Sequence, residues 1–178
     1  EQVSGGKPSD WVMFNTSTYQ SVTNTVYSGS YAVKLTNNLV GNGLRSSKIA
    51  VKPGIAYKAS VYSYNESGGS QLYLEFWDRN NVRIGVKTTG QSIPAAWTKM
   101  EASLAAPANA VTATVLLYQN ASNKGVAYYD DASLTIEPTS TPFAALTELS
   151  RSPGVESGTA GEALLLTNVR PGQFVEYE

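Results

Sequence analysis

Asp130 is the residue of this sequence that most needs a chemical partner. It lies in Val126-Ala-Tyr-Tyr-Asp-Asp-Ala-Ser-Leu-Thr-Ile136, a stretch that reads as a β-strand. Strand side chains alternate between faces, so Asp130 shares a side with Val126, Tyr128, Ala132, Leu134 and Ile136. An ionised carboxylate buried alone costs several kcal/mol. The sequence contains no His and no Cys. The partners open to Asp130 are therefore a cluster of backbone donors, a Lys or Arg, or a bound cation, for which calcium suits an all-oxygen site. Asp131, on the other parity, reads as solvated or as a peripheral ligand.

The remaining chemistry belongs to carboxylates and aromatics. A glycosidase needs a carboxylate pair about 5–10 Å apart, and on the polar strand faces only Glu75 presents itself. Without His a Ser-His-Asp triad cannot form; a Lys or Tyr base stays open. The chain is read as non-catalytic. Binding fits better, because sugar rings stack apolar faces on aromatic rings while their hydroxyls need polar side chains. The strand faces opposite the core offer that mixture: Lys58, Tyr62 and Tyr64; Tyr73, Glu75 and Trp77; Thr114 and Tyr118. If their strands are neighbours, these residues form one surface. The competing explanation is that exposed strand faces favour Tyr and Thr anyway.

The elements that would hold these residues are strands. Short apolar runs rich in Val, Tyr and Thr are bounded by Gly, Asn, Ser and Pro, with strand-like segments at 11–14, 21–26, 31–36, 47–51, 55–64, 71–78, 82–87, 97–104, 111–118 and 126–136. Asn37 to Gly43 reads as a turn, as do Lys52-Pro53-Gly54 and Asp78 to Asn81. Loop signals recurring roughly every 8–12 residues predict an all-β, two-sheet β-sandwich, probable topology a jelly roll. The formal net charge of −1, with scattered Lys and Arg, gives no footprint for nucleic acid. No apolar run is long enough for a membrane-spanning helix. Lack of Cys excludes a disulfide framework.

Composition shifts at 137–142, Glu-Pro-Thr-Ser-Thr-Pro, which reads as an extended linker. The domain expected is 1–136, and 143–178, too short for an independent β domain, is expected to be the first strands of a second one. The chain starts on a Glu with no strand before it and stops inside an alternating run, so it is expected to continue at both ends.

Several motifs in order, namely Glu1, Pro8-x-x-Trp11, Tyr27-Ser-Gly-Ser-Tyr-Ala-Val-Lys-Leu35, Val51-Lys-Pro-Gly-Ile-Ala-Tyr57, Trp97-Thr98 and Tyr128-Tyr-Asp-Asp-Ala-Ser-Leu134, resemble carbohydrate-binding modules of the family 4, 9 and 22 type. The resemblance covers 1–136. It implies a galactose-binding-like jelly roll that binds polysaccharide and belongs to a secreted, extracellular, multimodular glycoside hydrolase or polysaccharide lyase. Its partners would be the polysaccharide and other modules of the same polypeptide or a companion chain. It further implies one structural calcium, held by Glu1, by the turn from Ser28 to Tyr31, and by Asp130. Tyr57 and Trp97 fall at core positions of such modules, and Trp11 is expected to cap the sandwich rather than line a loop-side site. Pro171 to Tyr177 is similar to a strand of family 6 or 35 type modules. The alternative is a structural spacer whose aromatic face is packed against a catalytic domain.

Overall fold

The computed structural model describes residues 3–4, 6–15, 18–37 and 41–137. The chain divides into two units, 1–138 and 139–178. Glu1, nearly all of the expected linker and the expected second β domain lie outside the described residues.

Among the described residues thirteen strands form: β1 Val3–Ser4, β2 Lys7–Pro8, β3 Trp11–Phe14, β4 Thr18–Val22, β5 Ala32–Asn37, β6 Asn42–Ser46, β7 Ile49–Ala50, β8 Ala56–Asn65, β9 Ser70–Trp77, β10 Arg83–Gln91, β11 Trp97–Ala105, β12 Thr112–Gln119 and β13 Gly125–Ile136. One sheet runs β10-β9-β12-β6-β3, with β7 also paired to β12; the other runs β11-β8-β13-β5-β4. Every pairing between these strands is antiparallel. The all-β two-sheet sandwich is as the turn spacing predicts. β1 and β2 make a small separate hairpin where the sequence reads as loop.

The core lies between the sheets. Alternation sends Leu72, Leu74 and Phe76 of β9, with Ala113, Val115 and Leu117 of β12, against Tyr57, Ala59 and Val61 of β8, Met100 and Ala102 of β11, and Ala127 and Tyr129 of β13. Each fully buried Leu or Phe contributes roughly 1.5–3 kcal/mol. Trp11 and Tyr19 pack half-buried at its edge. Turn chemistry closes the hairpins: Asp78 Oδ1 accepts from the N–H groups of Asn80 and Val82, and Asn81 takes a φ of 63°.

The strand parity of Asp130 needs correction. Asp130 pairs with Tyr62 and Ser133 with Ser60, so Asp131 and Ala132 together oppose the single residue Val61. This β-bulge, with Asp131 at a φ of 50°, switches the alternation partway along β13. Ala127, Tyr129 and Leu134 pack on the core, while Asp130 shares the outer face with its partner Tyr62. Perfect alternation had placed Asp130 and Leu134 together.

β6 is the strand whose residues read as a turn. Gly43 opposes Tyr118 and Phe14, and a Cβ there would lie 2.1 Å from the Leu117 carbonyl oxygen. Gly is thus demanded by close approach of the neighbouring backbone, not by a turn. Gly43→Ala is expected to destabilise the domain by about 1–3 kcal/mol, the usual size of overpacking, read as a lower urea midpoint at unchanged slope.

Candidate functional site

The outer face of the first sheet is organised by Glu75. Its carboxylate points away from the core, yet the residue is fully buried, because neighbouring side chains close over it. Arg83 Nη1 donates to Oε1 at 2.7 Å, Arg45 Nε donates to Oε2 at 2.9 Å and Thr114 Oγ1 donates to Oε2 at 3.0 Å. These residues come from β10, β9, β12 and β6, which are successive strands of the sheet. Trp77 Nε1 extends the chain by donating to Thr114 Oγ1 at 2.8 Å. The Arg45 guanidinium lies 4.6 Å from the Phe14 ring centroid and 5.3 Å from that of Trp77, and Lys48 Nζ lies 5.4 Å from the Trp77 centroid.

Beside this polar cluster runs an aromatic band. Tyr118 meets Phe14 edge-on at 5.9 Å and Tyr73 edge-on at 5.4 Å. The rings span β3, β12 and β9, with Gly43 of β6 between Phe14 and Tyr118 leaving the backbone low. Burial, then the neighbouring Tyr118, raises the pKa of the Tyr73 phenol. Tyr73 is therefore a neutral hydroxyl at physiological pH, able to donate or accept.

The expected single surface is divided by the fold. Tyr73, Glu75, Trp77, Thr114 and Tyr118 come together on the first sheet, while Lys58, Tyr62 and Tyr64 lie on β8 in the second sheet, whose outer face is on the opposite side of the sandwich. β8 and β9 are consecutive in sequence but cross between sheets, so sequence neighbours are not sheet neighbours. On the second face Tyr62 is stacked under Tyr27 at 3.6 Å and 13°. Tyr64 packs against Trp97 and Tyr128. Trp97 thus belongs to this outer face instead of the core, whereas Tyr57 is a core residue. Lys58 approaches Glu101 at 3.8 Å between half-exposed side chains, a pair of small energetic weight.

Asp130 ties this second face to the turn before β5. Its Oδ2 accepts from the N–H groups of Tyr27 and Ser28 at 2.8 and 3.1 Å, and its Oδ1 from the N–H of Asp131 at 2.8 Å. Ser28 Oγ donates to Asp131. Backbone donors, one kind of partner open to Asp130, are supplied here. Charge-assisted bonds of this kind are roughly twice as strong as neutral ones. Among the described residues no group of three His, Cys, Asp or Glu side chains gathers. Tyr31, Trp11 and Asp130 line a cavity of about 290 Å3 at this end of the sandwich, so Trp11 both borders the core and lines a loop-side space.

Arg45, Arg83 and Phe14 are absent from the sequence-derived set. Arg45 lies in β6, whose Asn and Gly residues disguise a strand. Arg83 is signalled by the argument that applies to Asp130: a buried carboxylate needs a partner, and a Lys or Arg is one of those open to it.

No protein-family model matches the sequence, and no curated protein matches it. Solved structures share the fold. The chain is similar to a tailspike protein domain of bacteriophage CBA120, with a TM-score of 0.58 and 17% identity over 76% of this chain and 21% of that one. It is similar to the CBM22-1–GH10 modules of Clostridium thermocellum endo-1,4-β-D-xylanase 10B, crystallised with xylohexaose, with a TM-score of 0.60 and 21% identity over 72% of this chain and 26% of that one. A third is the CBM22-2 xylan-binding domain of Paenibacillus barcinonensis Xyn10C, at 0.59 and 14% over 74% of this chain and 94% of that one. The chain spans about a quarter or less of the first two structures it matches. The fold is that of family 22 carbohydrate-binding modules.

Proposed function

We propose that residues 1–136 form a non-catalytic polysaccharide-binding module of a secreted, extracellular glycoside hydrolase or polysaccharide lyase. The glycan lies on the outer face of the first sheet. The observation that carries this reading is the half-buried band Phe14–Tyr118–Tyr73, set beside the Glu75 cluster. Rings offer stacking surface and the cluster offers hydrogen-bond donors, the combination a pyranose requires. Kinship of fold with modules described as xylan-binding supports it. Trp77 serves the site through Arg45 and Lys48, which lie over its ring, more than by stacking on sugar itself.

The second face supports the alternative role. Tyr27, Tyr62, Tyr64 and Trp97 form a connected aromatic group suited to packing against a neighbouring module. Tyr118→Ala is expected to weaken retardation in polysaccharide affinity gels roughly tenfold, the scale of a lost ring contact. Tyr64→Ala is expected to leave it unchanged. The reverse pattern would move the glycan to the second sheet.

The same reading carries a structural calcium on Glu1, Ser28, Tyr31 and Asp130. What supports it is the adjacency of the Asp130 and Asp131 carboxylates, neither of which forms an ion pair with Lys or Arg among the described residues. The described geometry also supplies three N–H donors to Asp130. A cation bound only to the folded state raises stability by RT ln(1 + [L]/Kd). Melting in EDTA and in added calcium decides: a lower melting temperature in chelator identifies the metal, and coincident melts, with no calcium by elemental analysis, leave Asp130 as a hydrogen-bonded carboxylate alone.

A further inference from the structure

Resting on the polysaccharide-binding reading, we infer that the first-sheet face takes a glycan bearing uronate carboxylates in preference to a neutral one. The charges of that face carry the inference. Arg45 and Arg83 both bond Glu75, and Lys48 stands over Trp77 beside them, so three cations meet one buried anion. The chain as a whole carries −1, so this excess is local. Among the described residues Glu75 is the one acid within the strands of this sheet. Asp78, in the turn after Trp77, accepts from the N–H groups of that turn, and with its charge counted the local balance is +1.

The guanidinium groups are also held in readiness. Glu75 takes Nε and Nη2 of Arg45, the latter at 3.4 Å, and Nη1 of Arg83. A guanidinium carries five N–H donors, so each arginine keeps donors beyond those spent on Glu75. Arg83 is 46% exposed, on the edge strand. Arg45 rests on the Phe14 and Trp77 rings, a support that holds the guanidinium in place, and its side chain is 22% exposed. A planar fork of this kind matches a carboxylate in two-point fashion. Tyr73 and Tyr118, on the neighbouring strands β9 and β12, offer rings for the sugar that bears the acid. On the opposite face Lys58 and Lys99 share Glu101, and Asp130 and Asp131 add two further carboxylates, so no such excess of cations remains.

Titration calorimetry of the intact chain tests this with glucuronic-acid-bearing xylan and polygalacturonate, each beside its carboxyl-reduced form, and with dextran sulfate. The expected result is affinity about tenfold higher for the carboxylated polymers, the scale of a charge-assisted contact, weakened as salt shortens the screening length to about 3 Å near 1 M. Arg83→Gln should remove most of that preference, and Lys99→Gln on the other sheet should leave it in place. Equal affinity for the carboxylated and reduced forms overturns the inference while leaving glycan binding standing. Dextran sulfate bound as tightly as the polyuronates overturns the carboxylate assignment. Failure of every polymer to bind removes the polysaccharide reading itself, and the inference with it.

Discussion

A carboxylate sealed from water on the outside of a sheet is the constraint around which the candidate face is built. Glu75 sits at zero exposure on the side of β9 that faces away from the core. Such a charge is tolerated only when paired and hydrogen-bonded. Its partners come from the strands on either side, so satisfying it fixes Arg83 on β10, Thr114 on β12 and Arg45 on β6 at once. Arg45 in turn settles onto Phe14 and Trp77. The net energy of a buried ion pair is small, but removing one member is costly. The cluster therefore contributes a defined arrangement of cations more than it contributes stability.

The second sheet solves a similar problem by other means. Asp130 is nearly as buried as Glu75, and backbone N–H groups hold it in place of guanidinium. The bulge in β13 aims it at the turn that carries Tyr27 and Ser28, and that turn brings Tyr27 onto Tyr62. One carboxylate thus presents cations to solvent, and the other fastens a loop over its own sheet. The two sides of the sandwich acquire different surfaces from one physical requirement, the pairing of a buried negative charge.

Much of the fold was legible because period-two alternation is strong in β8, β9 and β12, whose inward residues Val61, Leu74 and Val115 face the core as alternation predicts. What failed were local exceptions to alternation. Asp131 adopts a left-handed conformation that the alternation did not forecast, and the resulting bulge put Asp130 on the other face. Gly43 looks like a turn residue because Gly in a turn and Gly under a neighbouring backbone are identical in sequence. The site was half legible: Tyr73, Glu75, Trp77 and Tyr118 share a face through alternation, but assigning Tyr62 and Tyr64 to it required sheet order, which follows from long-range pairing and not from neighbouring residues. Arg45 and Arg83 entered through the charge that Glu75 must balance.

The claim that Glu75 positions its arginines for ligand is tested most directly by a double-mutant cycle of Glu75→Gln and Arg83→Gln, with polysaccharide affinity and thermal melting measured for each protein. The amide keeps the shape of the carboxylate but removes the charge that holds both guanidinium groups. The account predicts folded variants and effects on affinity that fall short of additive, with a coupling of about 0.5–3 kcal/mol. Additive effects, or a Glu75→Gln protein that binds like the parent, would contradict it.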